Sequence, residues 1–188
     1  MPSDLIWPHA RSTPNDIDTG SHVWLRVLGT TDVHAHILPH DYPRDTTVQD
    51  YGLARTATLI RRARAEARNT VLFDNGDFLQ GSVLGDLVAG PDGDWAGPHP
   101  VIEAMNRLGY DAVNLGNHEF NFGLDWLVHT LAAARFPVIC ANALRLDGDG
   151  VAPLRPPHVL LPLDLRDDQG RGHVLNLGVL GLLPPQIT

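Results

Sequence analysis

An α/β fold is expected from three features of the 188-residue chain. From Val23 onward, apolar runs of strand length alternate with segments of helical periodicity, as happens when strands and helices take turns along a chain. The first three apolar runs each end in a small polar cluster containing Gly with Asp or Asn, and open α/β sheets bind their ligands at the carboxyl ends of their strands. Hydrophobic residues make up 43% of the chain, and its mean hydropathy is −0.10. A chain of this length can bury roughly 70% of the surface that it exposes when unfolded, enough for one domain with a real core.

The elements follow in order. Residues 23–28 read as a first strand that runs out into Gly29-Thr30-Thr31-Asp32. Residues 50–68 place Leu53, Ala57, Ile60, Ala63 and Ala67 at three- and four-residue intervals, which predicts an amphipathic helix. Residues 70–73 form a second strand, closed by Asp74-Asn75-Gly76-Asp77. Pro100 opens a helix that Gly109 stops, and residues 112–115 form a third strand ending in Gly116-Asn117-His118-Glu119. A helix over residues 124–134 and a strand over 137–141 follow. Residues 144–157, rich in Asp, Gly and Pro, read as loop, and residues 159–165 and 174–180 as two strands joined by a polar turn.

Composition excludes several classes of function. With 14 Lys+Arg against 22 Asp+Glu the net charge is −8, which repels polyanions and offers no basic stripe, so a nucleic-acid polymer is not an expected partner. The single Cys140 rules out an internal disulfide framework and any multi-cysteine zinc site. No stretch approaches the ~20 apolar residues of a membrane span, so no membrane partner is expected either. The first 22 residues carry acidic and proline residues but no basic start or apolar segment of a secretory signal. They are expected to be a flexible leader, and the chain as written to be cytoplasmic.

The chemistry concentrates in the three polar clusters. Asp32 and His34 stand two apart, and on extended backbone both would point to the same side and could hold a divalent metal; alone, the tripeptide fits a surface loop equally well. Asp77 after Gly76 is either a carboxylate able to bridge two cations or an ordinary turn aspartate. Asp74 and Asn75 read as turn formers or hydrogen-bond acceptors beside a site. Asn117 offers a neutral hard oxygen, and the next side chain, His118, an imidazole able to donate a proton. Glu119 reads better as a helix-start carboxylate bonded to backbone N–H groups than as a ligand. His36, His40, His99, His129, His158 and His173 are expected to be surface or structural residues.

The ordered set Asp-x-His, Gly-Asp and Gly-Asn-His-Glu resembles the calcineurin-like metallophosphoesterase superfamily. Thr30-Thr31-Asp32-Val33-His34, Gly52-Leu53-Ala54-Arg55, Asp74-Asn75-Gly76-Asp77-Phe78-Leu79-Gln80-Gly81-Ser82 and Gly116-Asn117-His118-Glu119-Phe120-Asn121 are similar to the 5'-nucleotidase family within it. Asn121, where classical 5'-nucleotidases carry Asp, is similar to the bifunctional 2',3'-cyclic-nucleotide 2'-phosphodiesterase/3'-nucleotidase branch. The resemblance implies a partial α/β sandwich of mixed sheets flanked by helices, truncated at the C-terminus, with residues 23–188 as the N-terminal portion of the catalytic domain. It also implies two divalent metal ions (Mn, Zn, Fe, Mg or Co), with Asp32 and His34 on one, Asp77 between both and Asn117 on the second. His118 becomes the catalytic acid or transition-state stabiliser, and a nucleotide the substrate.

The family's later lone histidine and Gly-His-x-His motif do not occur in the 188 residues. A C-terminal remainder of the enzyme is therefore expected as partner, and the chain by itself is expected to be inactive. A 5'-nucleotidase or sugar-nucleotide hydrolase, and a metal-binding remnant without turnover, are the alternatives, and the periplasm is the location that the resemblance implies in place of the cytoplasm.

Overall fold

The computed structural model describes residues 20–48, 50–90, 95–148 and 150–184. Residues 1–19 of the expected leader lie outside this set; of the rest, the His22 carbonyl accepts from the Asp168 N–H at 2.9 Å. The first half contains β1 (Arg26–Thr30), a two-residue ribbon of β2 (His40–Asp41) with β3 (Thr46–Thr47), α1 (Leu53–Ala65), β4 (Thr70–Asp74) and α2 (Val83–Ala89). Next come α3 (Pro100–Leu108), β5 (Ala112–Asn114), a 3-10 turn (His118–Phe120), α4 (Leu124–Leu131) and β6 (Val138–Ile139). The chain ends in two hairpins, β7 (Leu144–Asp147) with β8 (Gly150–Pro153) and β9 (His158–Arg166) with β10 (Gly172–Leu180).

β1, β4, β5 and β6 pair in that order into one parallel sheet, so each new strand is laid beside its predecessor. Strand periodicity then sorts the side chains. Leu72, Val113 and Val138 join the core with Leu53, Ala57 and Ile60 of α1, Ile102 and Met105 of α3 and Leu127 of α4. Val71, Ala112 and Ile139, equally buried, stand at the alternate positions and stay outside that cluster. Helices therefore cover one face of the sheet, and the β9–β10 hairpin reaches the other.

The hairpin is fastened at both ends. At the start of the sheet, buried Asn69 donates from Nδ2 to the Trp24 and Arg166 carbonyls at 2.8 Å each, and its Oδ1 accepts the Arg166 N–H at 2.7 Å. At the far end, Asn142 exchanges hydrogen bonds with the Leu183 backbone, and the Ala141 N–H donates to the Gly181 carbonyl. Between these points Leu160, Val174 and Leu180 remain largely exposed.

Three sequence expectations change. β1 begins at Arg26 and ends at Thr30, not at 23–28, because the parallel register opposite Thr70–Asp74 sets its limits rather than hydrophobicity. Residues 144–157 are not simply loop: Leu144–Asp147 and Gly150–Pro153 pair, with Gly148 supplying the positive φ of +61° that the turn needs. Helix α2 was not expected; Ser82, whose hydroxyl accepts from the Gly85 N–H, starts it.

The β9–β10 turn carries a buried charge. The Asp167 carboxylate accepts the Gln169 and Arg171 N–H groups, the Arg171 Nε–H at 2.9 Å and the His173 Nε2–H at 2.9 Å. Burial works to raise its pKa, but the hydrogen bonds from His173 and Arg171 outweigh that and hold the carboxyl well below the usual carboxylate range. A depressed native pKa stabilises the fold above the unfolded value of about 3.9, and that contribution fades as the pH falls below it. Asp167→Asn is expected to lower the urea midpoint at pH 7, with the gap to wild type narrowing below about pH 3.9; a gap unchanged from pH 7 to pH 2 would contradict this assignment.

Candidate metal centre

Beyond the ends of β1 and β4 the two chains leave the sheet together. The Asn75 N–H donates to the Thr30 carbonyl, and the Asp32, His34 and Ala35 N–H groups donate to the carbonyls of Gly76, Asp77 and Phe78 at 2.8–3.0 Å. This ladder runs through left-handed backbone: φ is +54° at Asp32, +47° at His34, +55° at Ala35 and +59° at Asp77. Residues with a Cβ rarely adopt this region, at a cost of about 1–3 kcal/mol each, and they do so where surrounding contacts over-determine the conformation.

Asp32, His34 and Asp77 each offer a ligand atom, and these atoms lie within 4.8 Å of one another. His34 Nε2 sits 3.5 Å from Asp32 Oδ1. The convergence expected for these three residues is present, but the extended backbone expected for the Asp-x-His tripeptide is not. Paired loops of left-handed backbone bring the two side chains together instead. The far side of the His34 ring is committed, since Nδ1–H donates to the Gln80 carbonyl at 2.9 Å and leaves Nε2 as the free lone pair facing the carboxylates.

Two glycines let the loops close. At Gly76, with φ of +103°, a Cβ would lie 2.2 Å from the Gly116 nitrogen, and at Gly116 a Cβ would lie 2.2 Å from Asp77 Oδ1. Asp77 Oδ1 accepts the His118 N–H at 2.7 Å, which sets the Asn117–His118 backbone against the Asp77 carboxylate. Asn117 is half-buried at the head of the 3-10 turn and makes no cap hydrogen bond. The His118 ring stands edge-on to His34, with centroids 5.1 Å apart. Asn121 Nδ2–H lies 3.3 Å from His118 Nδ1; with the amide donating, the proton of the neutral ring sits on Nε2.

Glu119 is fully buried and clamps the arrangement. Oε2 accepts the N–H groups of Asp77 and Gly116 at 2.7 and 2.6 Å, and Oε1 those of Phe78 and Leu79 at 2.7 and 3.1 Å. Burial pushes its pKa up while the four amides work against that rise. Its expected role as an acceptor of backbone N–H groups is thus realised, although two of the four belong to residues 78 and 79, whose part in the site was not anticipated. Asp74 is also an acceptor beside the site, taking the Gly76 N–H at 2.9 Å.

His99, His158 and His173 serve elsewhere in the fold. His173 is held by Asp167 at the start of the sheet, the opposite end from the cluster. His99 caps α3 by accepting the Val101 N–H, and His158 is exposed at the start of β9. Sequence reasoning missed the Gln80 carbonyl and Gly81. A backbone carbonyl leaves no mark in a sequence, but Gly81, where a Cβ would lie 2.7 Å from His34 Nδ1, could have been read as a close-approach glycine.

The clamp yields a prediction. Glu119→Gln turns one acceptor oxygen into an NH₂ group that faces two buried N–H donors. Since an unsatisfied buried group costs about 1–3 kcal/mol, a loss of roughly 2–4 kcal/mol in a urea titration is expected, and a loss below about 0.5 kcal/mol would contradict the clamp.

Comparison with known proteins places these loops in a family. The model of the family described as calcineurin-like phosphoesterase matches residues 25–166. The 2',3'-cyclic-nucleotide 2'-phosphodiesterase/3'-nucleotidase of Yersinia enterocolitica is 45% identical over 163 residues, covering 87% of this chain and 25% of that protein. The trifunctional nucleotide phosphoesterase protein YfkN of Bacillus subtilis is 42% identical over 174 residues, covering 88% of this chain and 11% of that one. The crystal structure of calcineurin-like phosphoesterase YfkN from Bacillus subtilis superposes with a TM-score of 0.81 at 41% identity, over 89% of this chain and 50% of that chain. The chain thus spans a quarter or less of the length of these two relatives. With its motifs on the loops that the fold brings together, and with that agreement over most of its length, the chain belongs to the calcineurin-like phosphoesterase family.

Proposed function

We propose that the chain is the N-terminal part of a metal-dependent nucleotide phosphoesterase that opens 2',3'-cyclic nucleotides and then dephosphorylates the 3'-nucleotide. The observation that carries this reading is the meeting of Asp32, His34 and Asp77 within 4.8 Å, beside the His118–Asn121 pair. The names of the relatives that share 45% and 42% of its residues support the substrate class. Asn121 supports the bifunctional branch over a 5'-nucleotidase or sugar-nucleotide hydrolase.

Calcineurin-like phosphoesterases use divalent metals, and the donor set suits them: two carboxylates and an imidazole with its second nitrogen already committed. Asp32 and His34 would hold one cation, Asp77 would serve two, and Asn117 the second. When bound, such cations lower the pKa of water and neutralise charge that develops on phosphoryl oxygens.

The protein's own groups do the rest. The Gln80 carbonyl keeps His34 Nε2 turned toward Asp32, and the His118 N–H fixes one oxygen of Asp77. A doubly protonated His118 would give its Nε2 proton to the ribose O2' as the P–O2' bond breaks, while water supplies the oxygen that joins phosphorus and the proton it releases restores the ring through solvent. The product is a 3'-phosphate with a free 2'-hydroxyl, and a second hydrolysis releases inorganic phosphate. Four side chains are few for two cations, and the shared stretch is 25% of the Yersinia enterocolitica relative and 11% of the Bacillus subtilis one. The reading therefore includes further polypeptide that completes the ligand set and covers Leu160, Val174 and Leu180.

Two measurements test the roles. Asp77→Asn is expected to abolish Mn²⁺ uptake by the 188-residue chain, whereas His118→Ala retains it. In the longest natural form of the protein that carries this segment, His118→Ala should lower turnover of 2',3'-cyclic AMP by about 10²–10⁴-fold. Equal metal loss in both variants would make His118 a ligand, and full turnover by the 188-residue chain would show that no further ligands are needed.

A further inference from the structure

The root of the two loops holds a buried hydrogen-bond relay that the proposed chemistry does not use. Thr30 and Asp74 close β1 and β4 and stand opposite each other in the parallel register. Thr30 Oγ1–H donates to Asp74 Oδ2 at 2.5 Å, so the Tyr110 hydroxyl, 2.8 Å from the same Thr30 oxygen, is the donor to it. Asp74 Oδ1 in turn accepts the Gly76 N–H at 2.9 Å. Asp74 and Tyr110 are 3% and 5% exposed.

A pair of strand ends does not need such a relay for stability. Burial penalises charge at both groups, pushing the Asp74 carboxyl up to about 7 against the hydrogen bonds from Thr30 and Gly76 and the Tyr110 hydroxyl up to about 12, and apolar residues of the same shape would fill the space without that cost. What a fully satisfied polar network adds is one defined arrangement. Here that arrangement converges on a single peptide. The Gly76 N–H is held by Asp74, the Gly76 carbonyl accepts the Asp32 N–H at 3.0 Å, and the next residue is Asp77.

We propose that the Tyr110–Thr30–Asp74 relay is a positioning device for the metal centre, setting the offset between the β1 and β4 loops so that Asp32 and Asp77 face one another. None of the three touches the cluster; they act through Gly76. The proposal rests on the metal reading above, and its test separates the two.

Thr30→Val keeps the β-branched shape and deletes the hydroxyl, Thr30→Ser restores the hydroxyl, and Tyr110→Phe removes only the far end of the relay. Ile139→Val, on the hairpin face of the sheet, controls for general loosening of the core. Mn²⁺ affinity of the 188-residue chain is read by EPR of the free ion, and exchange of the Gly76 and Asp77 amides is read by NMR without metal. Loss of groups that orient metal ligands typically costs 10–100-fold in affinity, so Thr30→Val is expected to weaken Mn²⁺ binding by roughly that factor, Tyr110→Phe by less, and Thr30→Ser by no more than about threefold.

Unchanged affinity in Thr30→Val overturns the proposal, as does Thr30→Ser behaving like Val or Ile139→Val producing the same loss. If the wild-type chain takes up no Mn²⁺, the metal reading fails on its own, and amide exchange decides the relay. Faster exchange at Gly76 and Asp77 in Thr30→Val but not in Thr30→Ser upholds it, and unchanged exchange overturns it. Should Thr30→Val not fold, Tyr110→Phe against wild type decides by the same two readouts.

Discussion

The buried carboxylate of Glu119 ties together parts of the chain that have no other reason to meet. It collects the amides of Asp77, Phe78 and Leu79 from the loop after β4 and that of Gly116 from the loop after β5. Without it, four N–H groups would be left without their carboxylate partner in a region from which water is largely excluded, each a penalty comparable to a large share of a small domain's net stability. With it, the Asp77 side chain is fixed against the His118 backbone, and Gly76 and Gly116 are pressed together closely enough that neither tolerates a Cβ.

The other half of the centre comes from the ladder between the β1 and β4 loops. Parallel pairing ends at Thr30 and Asp74, yet hydrogen bonds continue through Asp32, His34 and Ala35 in left-handed backbone. These conformations are unfavourable for residues with a Cβ, and the ladder, the Gln80 carbonyl and the Glu119 clamp offset their cost. Strain and compensation thus lie within the same two loops. The sheet beneath supplies a rigid base, with helices on one face and a hairpin strapped across the other.

Much of this was legible in the sequence. The helix over Leu53–Ala65 follows from the spacing of Leu53, Ala57 and Ile60, and the one that opens at Pro100 from that proline and from Gly109, whose φ of +66° closes it. The polar clusters stood where the strands end, and the resemblance of their motifs to a known family agrees with the match over residues 25–166. What could not be read was long-range. Nothing local in Asp32-Val33-His34 indicates left-handed backbone, because that conformation is imposed by carbonyls more than forty positions away, at Gly76 and Asp77. The Gln80 carbonyl is invisible in a sequence for the same reason. The β7–β8 hairpin was obscured by composition, since Gly148, one of the residues that suggested loop, is the one that supplies the positive φ of its turn.

The most direct check of this picture is the anomalous diffraction of crystals of the 188-residue chain soaked in Mn²⁺, recorded at the manganese absorption edge. The geometry predicts an anomalous peak between Asp32 and Asp77, within coordinating reach of His34 Nε2, with the Glu119 hydrogen bonds unchanged. Manganese bound only elsewhere, or a centre that forms only after the Glu119 contacts rearrange, would contradict it.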